Sequence, residues 1–370
     1  MTLDASAPAR TTGTVRVVGT GLLGTSAALA LHQRGVDVVL ADPSPTAMAL
    51  ARDLGAGRFP GPDDDPRLVL VACPPDVVAD VVAAELASHP SAVVTDVASV
   101  KNGPLLTLRA AGADLSRYVG GHPMAGRERH GAVAARSDLF AGRPWVLTST
   151  AETRPGALEL VRDLAVDCGA AVVTMGAEEH DAAVAVVSHA PQVAASLVAA
   201  RLREASEPAV ALAGQGLRDV TRIAASDPAL WAQILAGNAA EVADVLAELR
   251  ADLDEVIGAL RALTADPAAP GARGRLARAI ADGGSGRDRI PGKHGSAPAA
   301  YATVVVVVPD QPGELARLLG DVSAAGVNLE DLRLEHSAGQ RVALAAVDVL
   351  PAAAEHLATA LRAGGWTVPL

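Results

Sequence analysis

Over its first half the chain sets short β-branched runs between polar or glycine-rich turns, and past Gly176 its apolar residues recur at helical spacing. Val15-Arg16-Val17-Val18 predicts a buried strand, Thr25 to Gln33 a helix that Gly35 ends, and Val36 to Leu40 a second strand closing on Asp42. Leu68 to Ala72 and Val93 to Val97 are apolar enough for central parallel strands, and Pro144 to Leu147 and Ala171 to Thr174 supply further ones. Ala177 to Arg203 predicts a nearly all-apolar helix, kinked where Pro191 removes a backbone hydrogen bond. Ser226-Asp227-Pro228 reads as a helix start, and the helix after it should run for about 36 residues, or ~54 Å. Leu235, Ala239, Val242, Leu246, Leu249, Leu253, Val256, Leu260 and Leu263 recur there at alternating spacings of four and three. That is an a/d seam, and it predicts a long helix–helix contact, in a homodimer or within a bundle.

Thr264 to Ala300 is rich in Gly, Pro and Ala and locally basic, and reads as a linker. Beyond it the order is βαββα: a strand from Thr303 to Val308, a helix to Ala325, strands from Asp331 to His336 and Arg341 to Asp348 joined at Gly339-Gln340, and a helix from Ala352 to Ala363. Trp366-Thr367-Val368 adds a short final β segment. The expected division is 13–175, 176–264, 265–300 and 301–370.

Gly19-Thr20-Gly21-Leu22-Leu23-Gly24 falls between the first strand and the first helix, and Asp42 closes the second strand about 20 residues on. These spacings suit a doubly wound α/β sheet of the Rossmann type. Its glycine turn would offer the backbone N–H groups of Leu22 and Leu23 to a pyrophosphate. Asp42 would accept from a ribose hydroxyl and repel a 2′-phosphate, which favours NAD over NADP.

Composition narrows the classes. Half the residues are hydrophobic and 20% charged, as in a folded globular protein. A formal charge of −11 argues against nucleic acid or an anionic membrane surface as partner. No apolar stretch is expected to reach the ~18 residues of a membrane span, and the first twelve residues carry no signal-peptide core, so the expectation is a cytoplasmic protein. Cys73 and Cys168 lie far apart in apolar runs and read as free thiols, and no metal site is expected.

The candidate chemistry centres on Gly120-Gly121-His122-Pro123-Met124-Ala125-Gly126-Arg127-Glu128. Glycines around a histidine and a proline predict a loop that takes special dihedrals or approaches something closely. Ser99 and Lys101 follow the Val93–Val97 strand, where a doubly wound sheet opens its crevice; Ser99 also suits a helix N-cap. Asp181, Ser188 and Gln192 fall on one face at about 100° per residue, and a polar stripe on a buried helix needs partners or a ligand. His180 and His189 lie off that stripe and read equally well as structural or functional. Arg218 and Arg222 stand one turn apart, and arginine suits bidentate carboxylate recognition.

Taken together, the glycine turn, Asp96-Val97-Ala98-Ser99-Val100-Lys101, the Gly120–Glu128 stretch, His180-Asp181, Ser188-His189 and Thr221-Arg222-Ile223-Ala224-Ala225-Ser226-Asp227-Pro228 resemble the prephenate dehydrogenase family over nearly the whole chain. The resemblance implies NAD-dependent oxidative decarboxylation of prephenate to 4-hydroxyphenylpyruvate in tyrosine biosynthesis, with His122 as general base and Ser99 orienting it. It places Arg222 on a substrate carboxylate, and Glu128, Gln192, Ser188, Asp181 and Trp231 around the pocket. Family members that prefer prephenate often carry a histidine where Gln192 stands, so arogenate dehydrogenase remains an alternative. A further alternative is an amino-acid sensor on a non-catalytic scaffold. Pro309-Asp310-Gln311-Pro312-Gly313 with Gly326-Val327-Asn328 resembles ACT modules of ferredoxin-like fold. That implies an amino-acid effector, foremost tyrosine, on Asp310, Pro312, Gly313 and Asn328.

Overall fold

A computed structural model describes residues 8–125, 131–291, 301–336 and 342–369. Strands β1 (Val15–Val18), β2 (Val38–Ala41), β3 (Leu68–Val71), β4 (Val93–Asp96), β5 (Tyr118–Pro123), β6 (Pro144–Thr148) and β7 (Ala171–Met175) form one sheet in the order β2-β1-β3-β4-β5-β6-β7. Pairing is parallel from β2 through β5, antiparallel between β5 and β6, and parallel again between β6 and β7. Five helices accompany it: α1 (Leu22–Gln33), α2 (Pro45–Asp53), α3 (Val78–Ser88), α4 (Asn102–Ala110) and α5 (Pro155–Asp167).

Continuous apolar runs make central strands here because both faces of the sheet are covered. Leu68 and Leu70 of β3 point into a cluster with Ala27 and Leu31 of α1 and Leu160 and Leu164 of α5. Val69 and Val71 point the other way, onto Val78, Val82 and Leu86 of α3 and Leu108 of α4. Strand order reverses at β1, which has β2 on one side and β3 on the other, and there the crevice opens at the strands' carboxyl ends. Gly35 ends α1 at φ +80°, a left-handed stop that suits glycine. Both cysteines are free thiols.

The helical region departs from expectation in three places. Residues 177–200 are α6 (Ala177–Val184), a π-helical turn over Ala185–His189, and α7 (Ala190–Ala200). Pro191 cannot donate to the carbonyl four residues back, and the i→i+5 turn lies just before it. After α8 (Glu207–Ala211) and α9 (Gln215–Thr221), the long seam helix is two helices, α10 (Pro228–Gly237) and α11 (Ala239–Ala265), parted at Asn238. Residues 272–287 form a helix, α12 (Ala272–Arg287), inside the stretch expected to be a linker. Its Ala, Arg, Leu and Ile content sustains helix despite the glycines.

The run Ala177–Glu204 is also long and apolar enough, by length and composition alone, to cross a membrane, where no such stretch was expected. Its buried polar side chains (His180, Asp181, His189 and Gln192) are hydrogen-bonded within the protein.

The chain divides into two compact units, Met1–Leu197 with Ile223–Ala247, and Val198–Arg222 with Glu248–Leu370. At the end of the second unit, β8 (Ala302–Pro309), α13 (Glu314–Ala324), β9 (Asp331–His336), β10 (Val342–Val349) and α14 (Pro351–Ala363) build an antiparallel sheet in the order β8-β10-β9. Thr367 bridges Val307 of β8, as the short final β segment predicts. Val304, Val306, Val308, Ala345 and Val347 alternate inward against Leu318, Val322, Leu357, Leu361 and Trp366. The expected Gly339-Gln340 tip lies outside the described residues.

Candidate active site

The glycine turn has the shape a dinucleotide needs. Gly19 sits at φ +99°, and a side chain there would run into the Ala72 carbonyl. A Cβ on Gly24 would overlap the Gly19 carbonyl, whereas the corresponding position at Gly21 meets nothing within 4 Å. Gly21 caps α1 without a side chain, so the first-turn N–H groups stay available to an anion. Asp42 Oδ2 accepts from Thr20 N at 2.7 Å and Thr20 Oγ1 at 2.8 Å, and Oδ1 accepts from Ser44 N at 2.8 Å. Oδ1 keeps a lone pair for a ribose hydroxyl. The residues present fit NAD.

His122 stands on β5, which corrects the expectation of a loop: strand geometry continues through Pro123. Gly120, Gly121, His122 and Pro123 pair with Thr148, Leu147, Val146 and Trp145 of β6. The glycines are there for close approach. A Cβ on Gly121 would collide with the Asp96 carbonyl, and one on Gly120 with Thr148 Oγ1. Beneath them lies a buried ion pair between Lys101 Nζ and Asp96 Oδ1. Tyr118 OH donates to Asp96 Oδ2 at 2.7 Å, and this bond ties β5 to the end of β4. Burial and the Asp96 charge raise the Tyr118 hydroxyl well above the usual tyrosine value, so it stays a donor.

The imidazole of His122 is 8% exposed. Burial foremost, then electrostatic interaction with His180, Lys101 and His189, holds its pKa well below the usual histidine value. It is therefore neutral at pH 7. Its Nδ1 lies 2.8 Å from His180 Nε2, and His180 Nδ1 lies 2.7 Å from Asp181 Oδ1. The polar stripe predicts a substrate-facing Asp181, with His180 equally structural or functional. The structure corrects this: the Asp181 carboxylate also accepts from Lys101 N and Asn102 N, both at 2.9 Å, and is thereby committed to the start of α4. The π turn explains the misreading, because it rotates all that follows by about one residue's 100°.

Ser99 is half-buried between β4 and α4 and is not the cap of α4, whose N-cap is Lys101. Ser188 is half-buried on the π turn. Gln192 is buried, and its Nε2 donates to Ile223 O at 2.9 Å. Trp231 stands edge-on to His189, ring centroids 6.0 Å apart. Asn238, unmarked by any motif, donates from Nδ2 to Asp181 O at 2.8 Å and lies 3.1 Å from His189 Nδ1. Burial lowers the His189 pKa, with His180 adding to the effect and Asp181 opposing it. Arg222 is exposed in the second unit, at the start of the 3-10 turn Arg222–Ala224. Glu128 lies outside the described residues. Of the effector candidates, Gly313 caps α13 at φ +93°, Asn328 Nδ2 donates to Glu330 Oε1 at 2.6 Å, and Asp310 and Pro312 are exposed.

Residues 27–174 match the family model "Prephenate dehydrogenase, nucleotide-binding domain", and residues 176–269 match "Prephenate dehydrogenase, dimerization domain". The probable prephenate dehydrogenase NovF of Streptomyces niveus is 40% identical over 356 residues, 95% of this chain and 98% of that protein. Among solved structures, prephenate dehydrogenase from A. aeolicus in complex with hydroxyphenyl propionate and NAD+ is 28% identical, with a TM-score of 0.63 over 74% of this chain and 98% of its own. Synechocystis arogenate dehydrogenase is 26% identical, with a TM-score of 0.60 over 74% of this chain and 99% of its own. Matches to both family domains, and a relative alike over nearly the whole of both chains, place this chain in the prephenate dehydrogenase family.

Proposed function

We infer that this protein oxidises prephenate with NAD+, releasing CO₂ and 4-hydroxyphenylpyruvate. The observation that carries the reading is His122: a neutral imidazole on the strand next to β4, in the sheet whose β1 leads into the dinucleotide turn. The C4 hydroxyl of prephenate must lose its proton as C4 gives up hydride, and a neutral imidazole suits that task. NAD+, when bound, accepts the hydride. Loss of the ring carboxylate then makes the ring aromatic, which draws the reaction forward. Ser99 orients the hydroxyl or the imidazole, and Trp231 and Ser188 line the pocket; Arg222 is the candidate for a substrate carboxylate. The dimerization-domain match, with Leu249, Leu253 and Leu260 exposed along α11, supports a homodimer.

Gln192 favours a second reading, arogenate. Because its Nε2 donates to both Ile223 O and Ser196 Oγ, the carbonyl oxygen is the end it offers. A carbonyl accepts from the ammonium group of arogenate but gives nothing to a keto oxygen. NADH formation followed with each substrate should show the higher kcat/KM for prephenate. A higher value for arogenate would replace the first reading with the second, and none with either would remove both.

The C-terminal unit is read as an ACT-like module that senses tyrosine. Its support is the βαββα order with the Thr367 bridge and the left-handed Gly313 at the start of α13. Tyrosine added to the full chain should lower turnover, and Gly313→Ala, strained at φ +93°, should weaken that response while leaving basal turnover intact. Undiminished sensitivity in the variant would move the effector away from this turn.

A further inference from the structure

His122 does not stand alone. Behind it runs a buried hydrogen-bonded line, from the first N–H groups of α4 to Asp181, from Asp181 to His180, and from His180 to His122 Nδ1. His180 is 0% exposed with both ring nitrogens bonded to protein groups, and the Asp181 carboxylate is taken up by His180 and the start of α4, so both stand behind His122. We propose that Asp181 and His180 are positioning residues that hold His122 in the one tautomer able to act as a base, a role that rests on the proposed dehydrogenase reading.

Asp181 supplies acceptors only: Lys101 N and Asn102 N each donate to it, and the helix start they belong to favours its negative charge. Facing that carboxylate at 2.7 Å, His180 Nδ1 must carry a proton. Neutral His180 then has its lone pair on Nε2, which faces His122 Nδ1 at 2.8 Å and requires a proton there. The remaining nitrogen of His122, Nε2, is left with the lone pair. When Nε2 takes the C4 hydroxyl proton, His122 becomes an imidazolium whose Nδ1–H is already aimed at His180, and Asp181 offsets the positive charge one ring further back. Asn238 braces the same line: its Nδ2 donates to the Asp181 carbonyl and faces His189 Nδ1. His180 and His122 lie edge to face with ring centroids 5.0 Å apart; His180 cannot turn without breaking a bond at each of its nitrogens, nor His122 without losing the one at Nδ1.

The test uses the full-length protein labelled with ¹⁵N-histidine. At neutral pH, two-bond ¹H–¹⁵N correlations should show His122 as the Nδ1–H tautomer. In Asp181→Asn the charge behind His180 is lost and one of the two α4 N–H groups loses its acceptor, so the preference for His122 Nδ1–H should weaken and the Nε2–H tautomer should appear. His180→Phe should lower kcat by ~10²-fold or more, as when a triad histidine loses its orienting group, with the KM for NAD+ unchanged. His180→Gln, whose carbonyl can accept from His122 Nδ1–H, should restore part of that loss. A wild-type His122 protonated on Nε2 would overturn the proposal, and so would equal turnover in His180→Phe and wild type. The tautomer is read without substrate, so wild-type enzyme inactive on prephenate and arogenate would defeat the dehydrogenase reading while the spectrum still decides the relay.

Discussion

Replacing His122 with asparagine is expected to lower kcat by ~10²–10⁴-fold, the usual worth of a general base. Asparagine places an amide near the position of Nδ1, so the hydrogen bond toward His180 can survive. What it lacks is Nε2, the atom that would receive the proton. NAD+ affinity should hold, because the glycine turn and Asp42 share no hydrogen bond with His122. The wild-type pH profile gives the second half of this prediction. A base works only when unprotonated, and His122 is held below the ordinary histidine value, above all by its burial. Its neutral form therefore persists as pH falls through 6.5, the ordinary value. The acid limb of kcat/KM should lie below that, and it should vanish from the residual activity of His122→Asn. Unchanged turnover in the variant, or an acid limb retained there, would remove His122 as the base.

How much of this could be read from residues alone differs from element to element. The α/β sheet was legible because each central strand is a continuous apolar run, and the dinucleotide turn because its glycines, helix and terminal acid are all local in sequence. His122 was legible for a reason that proved partly mistaken. Gly120-Gly121-His122-Pro123 reads as a loop, yet β5 continues through it, because the glycines answer to the backbone of β4 and the side chain of Thr148. A contact across strands leaves the same composition as a turn. His180 was out of reach for another reason: helical stripe arithmetic assumes an unbroken period, and the π turn at Ala185–His189 breaks it. The break at Asn238 was hidden in the same way, since the four-and-three spacing of the seam runs straight through it. The Asn238 side chain is held by Asp181 and His189, 57 and 49 residues away in sequence.

Lys101→Met should be the most destabilising single change near the site that keeps side-chain volume. Lys101 and Asp96 are both fully buried, and their side chains form an ion pair under β5. Methionine fills the space of the lysine stem but leaves the Asp96 carboxylate in the interior without its cation. Removing one partner of a buried pair costs ~3–5 kcal/mol, which in a protein of this size should lower the melting midpoint by roughly 10 °C. The damage should also reach turnover, since Asp96 Oδ2 accepts from Tyr118 OH and anchors the strand that carries His122. Adding Asp96→Asn to Lys101→Met should recover part of the stability. The amide is neutral, and its oxygen can still accept from Tyr118 OH, so the uncompensated charge disappears while that tie to β5 is kept. Recovery in the double variant is the discriminating result. If Lys101→Met melted within about 2 °C of wild type, a loss under ~1 kcal/mol, or if Asp96→Asn lowered the midpoint further, the pair would not be what holds β5 in place.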